Sequence, residues 1–101
     1  MRSVDLALYA DELASRAATL AAELERARRR LRREAIEREA RRALDGGSVA
    51  RLDAAGVFNR GDPSALRSEL RELSASLAAM EELQAWVEAR LAAAQDELSA
   101  A

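Results

Sequence analysis

Apolar side chains recur along this chain in alternating steps of four and three residues, the spacing that lines one side of an α-helix. The rhythm is unbroken from Leu6 through Ala10, Leu13, Ala17, Leu20, Leu24 and Ala27 to Leu31. It resumes at Leu66 and passes through Leu70, Leu73, Leu77, Met80, Gln84, Val87, Leu91 and Ala94 to Leu98, with Gln84 its one polar member. Sustained four-three spacing is the seam of a coiled coil, and a polar seam position such as Gln84 can fix register. After Leu31 the first seam loses phase: Ala35 follows, and Ile36, Ala40 and Ala43 form a displaced stripe. A slip of this kind locally unwinds a supercoil.

Helix breakers are confined to the middle: Gly46-Gly47, Gly56, Gly61 and Pro63. The pattern therefore predicts a helix over 3–44, a short helix over 48–55 in the connector, and a helix over 63–98. Ser3 suits an N-cap, with Asp5 in the first turn, and Arg41 and Arg42 suit the far end, where Gly46 can take the left-handed cap. Ser48 can cap the short helix and Gly56 can end it, before Val57-Phe58 and an Asn59-Arg60-Gly61 turn. Asp62-Pro63 is the clearest start signal, an acceptor at the N-cap followed by proline at the first helical position. The connector cannot carry the chain back along a helix of ~60 Å at ~1.5 Å per residue, so the long helices must pair antiparallel. The expected fold is all-α: a single domain over 1–101, a long antiparallel helical hairpin (a coiled coil) with a short helix in its connector.

The apolar stripe is wider at one end than the other. Ala7, Ala14, Ala18 and Ala21 broaden it on the first helix, and Ala79, Leu83, Trp86 and Ala93 on the second. Breadth of this kind suits a helix with several helical neighbours. It predicts a homodimer that closes a four-helix bundle, with Ala14, Ala18, Ala21, Leu83 and Trp86 as candidate interface residues. At the connector, Leu44, Val49, Leu52, Val57, Phe58 and Leu66 are expected to form a small apolar cap.

Composition supports a helical partner. Half of the 101 residues are apolar but only 3% are aromatic. Alanine buries little area, so one copy has a thin core at roughly 25 cal/mol per Å². With no Cys and no His, the chain lacks disulfides, thiolate chemistry and the commonest general base and metal ligand. No stretch reaches the ~20 apolar residues of a membrane span. Asp5, Asp11 and Glu12 interrupt any apolar signal-peptide core, so a cytoplasmic location is expected.

Charge adds the strongest functional hint. Of the sixteen basic residues, all arginine, nine fall between Arg26 and Arg42: Arg26, Arg28, Arg29, Arg30, Arg32, Arg33, Arg38, Arg41 and Arg42. With Glu34, Glu37 and Glu39 the window carries +6 in a chain of net −2. These nine are the candidate partner-binding residues. Glu69, Glu72, Glu81 and Glu82 on the opposing helix are candidate internal partners, and head-to-tail association of two copies would also neutralise the block. An acidic protein surface is a further possible partner, as is a nucleic-acid phosphate backbone, which arginine forks match bidentately.

Catalytic patterns are sparse. Glu34-x-x-Glu37 and Glu69-x-x-Glu72 are similar in spacing to the Mg²⁺-holding carboxylates of all-α nucleotide pyrophosphohydrolases, but arginines crowd all four. The chain also resembles the small helical-hairpin effectors of the WXG type in length and alanine content. It departs from them in lacking the Trp-x-Gly turn: its connector reads Gly46-Gly47-Ser48, and Trp86 lies within the second helix. The expected function is a non-enzymatic coiled-coil interaction or scaffold protein with no cofactor, metal, membrane or small-molecule substrate. The alternative is a nucleic-acid-associated protein that uses the surface from Arg26 to Arg42.

Overall fold

The computed structural model describes residues 2–58 and 61–100; Asn59 and Arg60 of the expected connector turn lie outside the described residues. Three helices form in the expected order, α1 (Ser3–Ala43), α2 (Gly46–Ala54) and α3 (Pro63–Ala100), and the fold is an all-α helical hairpin. No helix of the described residues is long and apolar enough to cross a membrane.

The helix ends follow local chemistry, with three corrections. Ser3 lies inside α1, and the Leu6 N–H donates to the Arg2 carbonyl, so Arg2 and not Ser3 stands at the N-cap. Asp62 caps α3 as expected, its carboxylate accepting the Ser64 N–H at 3.0 Å ahead of Pro63 in the first turn. Gly46 does not end α1 in a left-handed conformation. It opens α2, whose N-cap is Asp45 rather than Ser48. The longer reach of Asp45 explains the choice: its carboxylate accepts both the Ser48 N–H at 2.8 Å and the Ser48 hydroxyl at 3.0 Å. Gly56 ends α2 at φ 72°, the only positive φ among the described residues. There the Val57 N–H donates to the Leu52 carbonyl and the Gly56 N–H to the Asp53 carbonyl, the paired bonds of a Schellman motif.

The described chain divides into two compact units, one built from 1–23 and 72–101 and the other from 24–71. In the first unit Leu6, Leu13 and Val87 are buried together, with Ala10, Met80, Leu83 and Leu91 packed around them. Leu6 lies beside Ala94 and Glu97, whereas Leu20 lies beside Met80, so the two helices run in opposite directions. Leu98 departs from its expected place in the seam and is 72% exposed. Leu6 already meets Ala94, and α1 starts only at Ser3, which leaves no turn to cover it.

In the second unit Leu24 and Ala27 are buried, and Leu31, Leu66 and Leu70 are half-buried. The displaced stripe expected after Leu31 does not take over the seam, which keeps a seven-residue spacing from Ala27 through Glu34 to Arg41. The covered track advances by two steps of three, to Glu34 and Glu37, and then reaches Ala40 and Arg41. Ala35 and Ala43 are exposed and Ile36 is 69% exposed, so the apolar displaced stripe does not form the core. Glu34 and Glu37 tolerate the covered track because each is neutralised on its own helix: Arg38 donates to Glu34 at 3.0 Å and Arg33 to Glu37 at 2.9 Å.

The seam positions should therefore carry the stability and Ile36 should not. Leu13→Ala is expected to cost about 2–5 kcal/mol and Ile36→Ala less than about 0.5 kcal/mol, measured by urea unfolding followed by circular dichroism.

Candidate functional site: the arginine surface of α1

A helix places residues i, i+3, i+4 and i+7 on one face. Arg26, Arg29, Arg30 and Arg33 have that spacing, and together they line an open groove of about 420 Å³. The block therefore includes one coherent stripe within an otherwise scattered set of arginines. Arg30 and Arg33 are anchored: Arg30 donates to Glu69 at 2.8 Å, and Arg33 donates both to Glu37 and to the Val57 carbonyl at 3.2 Å. Arg26 and Arg29 form no ion pair among the described residues and are exposed.

The remaining arginines have different roles. Glu25 takes both Arg28, at 3.9 Å, and Arg32, at 3.2 Å, on the outside of α1. Arg38 pairs with Glu34. Arg42 is exposed and forms no ion pair among the described residues. Arg41 is a structural clamp. Its guanidinium makes a two-pronged contact with Asp53 of α2 at 2.7 and 3.0 Å, and it lies 4.7 Å from the centre of the Phe58 ring.

That clamp replaces much of the apolar cap expected at the connector. Leu44 and Val57 are 44% and 48% exposed, Val49, Leu52, Phe58 and Leu66 are only half-buried, and α2 has no buried residue. The hydrogen bonds that Arg41 donates to Asp53 and the negative charge of Asp53 and Glu37 raise the Arg41 pKa above its ordinary value, against partial desolvation. The Asp45 carboxyl is shifted down, first by the Ser48 N–H and then by the Ser48 hydroxyl.

Of the four opposing carboxylates named above, Glu69 takes an arginine. Glu72, Glu81 and Glu82 form no ion pair among the described residues. The Glu34, Glu37, Glu69 and Glu72 quartet is likewise divided, with three of its members engaged by arginines. Among the described residues no group of three or more acidic side chains is placed to hold a metal ion.

The candidate interface residues are distributed over two flanks. Ala14, Ala18 and Ala21 are exposed, Leu83 is half-buried against the core, and Trp86 is 49% exposed with the Arg90 guanidinium 5.8 Å from its ring centre. On the helical wheel Ala14 and Ala21 lie on the side of the α1 seam opposite Arg16. Leu83 and Trp86 share the flank of α3 that an antiparallel pair brings beside Arg16, so a single flat contact cannot use all five residues. Asp53 and Glu37 are the contributors that periodicity does not reveal. Glu37 is signalled only by its four-residue spacing from Arg33, and Asp53 by no local pattern.

No family model matches the chain, and no curated protein or solved structure matches it.

Two outcomes test this division of roles. Asp53→Asn should lower the melting temperature, and Arg41→Lys should lower it too, because a lysine keeps the charge but loses the fork; thermal melts by circular dichroism read both. Asp45→Ala should reduce helix content and stability above about pH 4, the ordinary carboxylate range. Because the folded-state pKa is depressed, that difference from wild type should vanish as the pH falls through the lowered value.

Proposed function

We propose that this chain is a non-enzymatic, self-associating helical hairpin, a cytoplasmic interaction or scaffold protein that works through the surfaces its own folding leaves uncovered. One observation carries the reading. The core of the described residues holds five buried apolar side chains, whereas Val4, Leu8, Tyr9, Trp86 and Leu98 of the first unit stand 42–72% exposed. Large apolar groups concentrated on so small a protein mark association surfaces. Aromatic anchors such as Trp86 are the residues enriched at the centres of interfaces.

The second reading, a phosphate-backbone contact, draws on the stripe Arg26, Arg29, Arg30 and Arg33. Six of the nine arginines in the block are engaged with carboxylates of the chain itself, which favours the first reading.

Sedimentation equilibrium at tens of micromolar should give a mass above the 11.0 kDa of one chain. Emission from Trp86, the sole tryptophan, should move to the blue as concentration rises. A strictly monomeric species with concentration-independent emission would sink the proposal. Fluorescence anisotropy with a labelled DNA duplex, read against salt, tests the second reading.

A further inference from the structure

The two units divide the charge of the chain unequally. Residues 1–23 and 72–101 carry a formal −7, and residues 24–71 carry +5. Within the basic unit the excess belongs entirely to α1: residues 24–43 are +5, and residues 44–71 sum to zero. Within the acidic unit the α3 stretch over 72–101 supplies −5. Its six carboxylates, on Glu72, Glu81, Glu82, Glu88, Asp96 and Glu97, form no ion pair among the described residues. A +5 helix segment with three arginines outside any ion pair among the described residues and a −5 helix segment with unpaired carboxylates thus occur in equal numbers wherever the protein occurs.

Shape supports the same pairing. Ala75, Ala79, Glu82, Trp86, Ala89 and Ala93 repeat in steps of four and three along α3, and all are exposed. They form a second helical stripe outside the seam that packs against α1. Small alanines on either side of one large ring let another helix approach closely, with Glu82 in the stripe, Glu72 and Glu97 on the same side of the helix and Arg90 beside the ring. The groove on α1 complements it. It is lined by Arg26, Arg29, Arg30 and Arg33, and a guanidinium can pair with a carboxylate or stack on an indole face.

We infer that the arginine groove of one copy receives the Trp86-bearing acidic face of α3 from a second copy, so that the protein associates head to tail. The inference rests on the self-association proposed above and names the surfaces that carry it. Nucleic acid is the poorer occupant. The groove already takes carboxylates of its own chain, Glu37 and Glu69, and a second copy brings more of them in the −5 stretch over 72–101. Screening over about 8–10 Å at physiological salt makes such local patches, rather than the small net charge, decide the encounter.

Charge reversal on the full chain tests this. Arg26→Glu with Arg29→Glu reverses the groove, and Glu82→Arg with Glu97→Arg reverses the acidic face. All four side chains are exposed and without ion pairs among the described residues, so far-ultraviolet circular dichroism should be unchanged. In sedimentation equilibrium each double variant should self-associate at least tenfold more weakly than wild type. An equimolar mixture of the two should recover wild-type association, because each reversed surface then finds its complement. Raising salt from about 50 to 500 mM, which shortens the screening length severalfold, should weaken the wild type by tenfold or more. Association indifferent to salt and to both reversals would overturn the inference while leaving self-association standing. So would weakening without recovery on mixing. A wild-type chain monomeric at low salt would overturn both, and duplex DNA binding abolished by Arg26→Glu with Arg29→Glu in such a monomer would give the groove to nucleic acid.

Discussion

Everything in this hairpin depends on how narrow its seam is. Each long helix buries one line of side chains against the other, and many positions on that line are alanine. A line of this kind holds two helices in register but covers less than half of either, since a helix needs an apolar stripe of 100° or more to be well covered. The remaining faces must be soluble, braced by ions, or covered by something else. In the acidic unit the seam is leucine-rich and closes a small true core around Leu13 and Val87. In the basic unit it passes through Ala27, Glu34 and Glu37, and there ion pairs supply much of the definition that apolar packing does not.

The arginine block is accordingly several devices. Arg33 and Arg38 make carboxylates acceptable on the covered track, Arg30 ties α1 to α3 through Glu69, and Arg41 fastens α2 through Asp53. Exposed pairs of this kind individually add little to stability. Their value here is geometric, since they fix where the arginines point. Arg30 and Arg33 are held, Arg26 and Arg29 are not, and the groove lies where held and free guanidinium groups meet. A surface partly organised in advance loses less freedom when something docks on it.

The helices were legible in the sequence because they rest on local rules. Four-three periodicity placed α1 and α3, and Asp62-Pro63 and Gly56 marked ends that backbone hydrogen bonds then realise. Along the seam, apolar character alone does not mark burial. Ile36 looked like core and is exposed, whereas Glu37 looked like surface and is 8% exposed. What separates them is that the covered track keeps to Glu34, Glu37 and Arg41, whose charges are met by Arg38, Arg33 and Asp53. Likewise Ser48 is a good cap by type, but Asp45 can accept two bonds at once. The Arg41–Asp53 contact spans twelve residues and a helix end, and no periodicity carries that information.

The attachment of α2 has a consequence for motion. This helix has no buried residue, and the contacts that hold it and the turn after it to α1 are polar: the fork from Arg41 and the bond from Arg33 to the Val57 carbonyl. Elements held in this way are the first to open in local fluctuations that leave the rest of a protein folded. Each such opening frees the Arg41 guanidinium and takes one bond from Arg33, which stays paired with Glu37. The cationic strength of α1 is therefore a dynamic quantity, low while α2 is seated and higher whenever it lifts away.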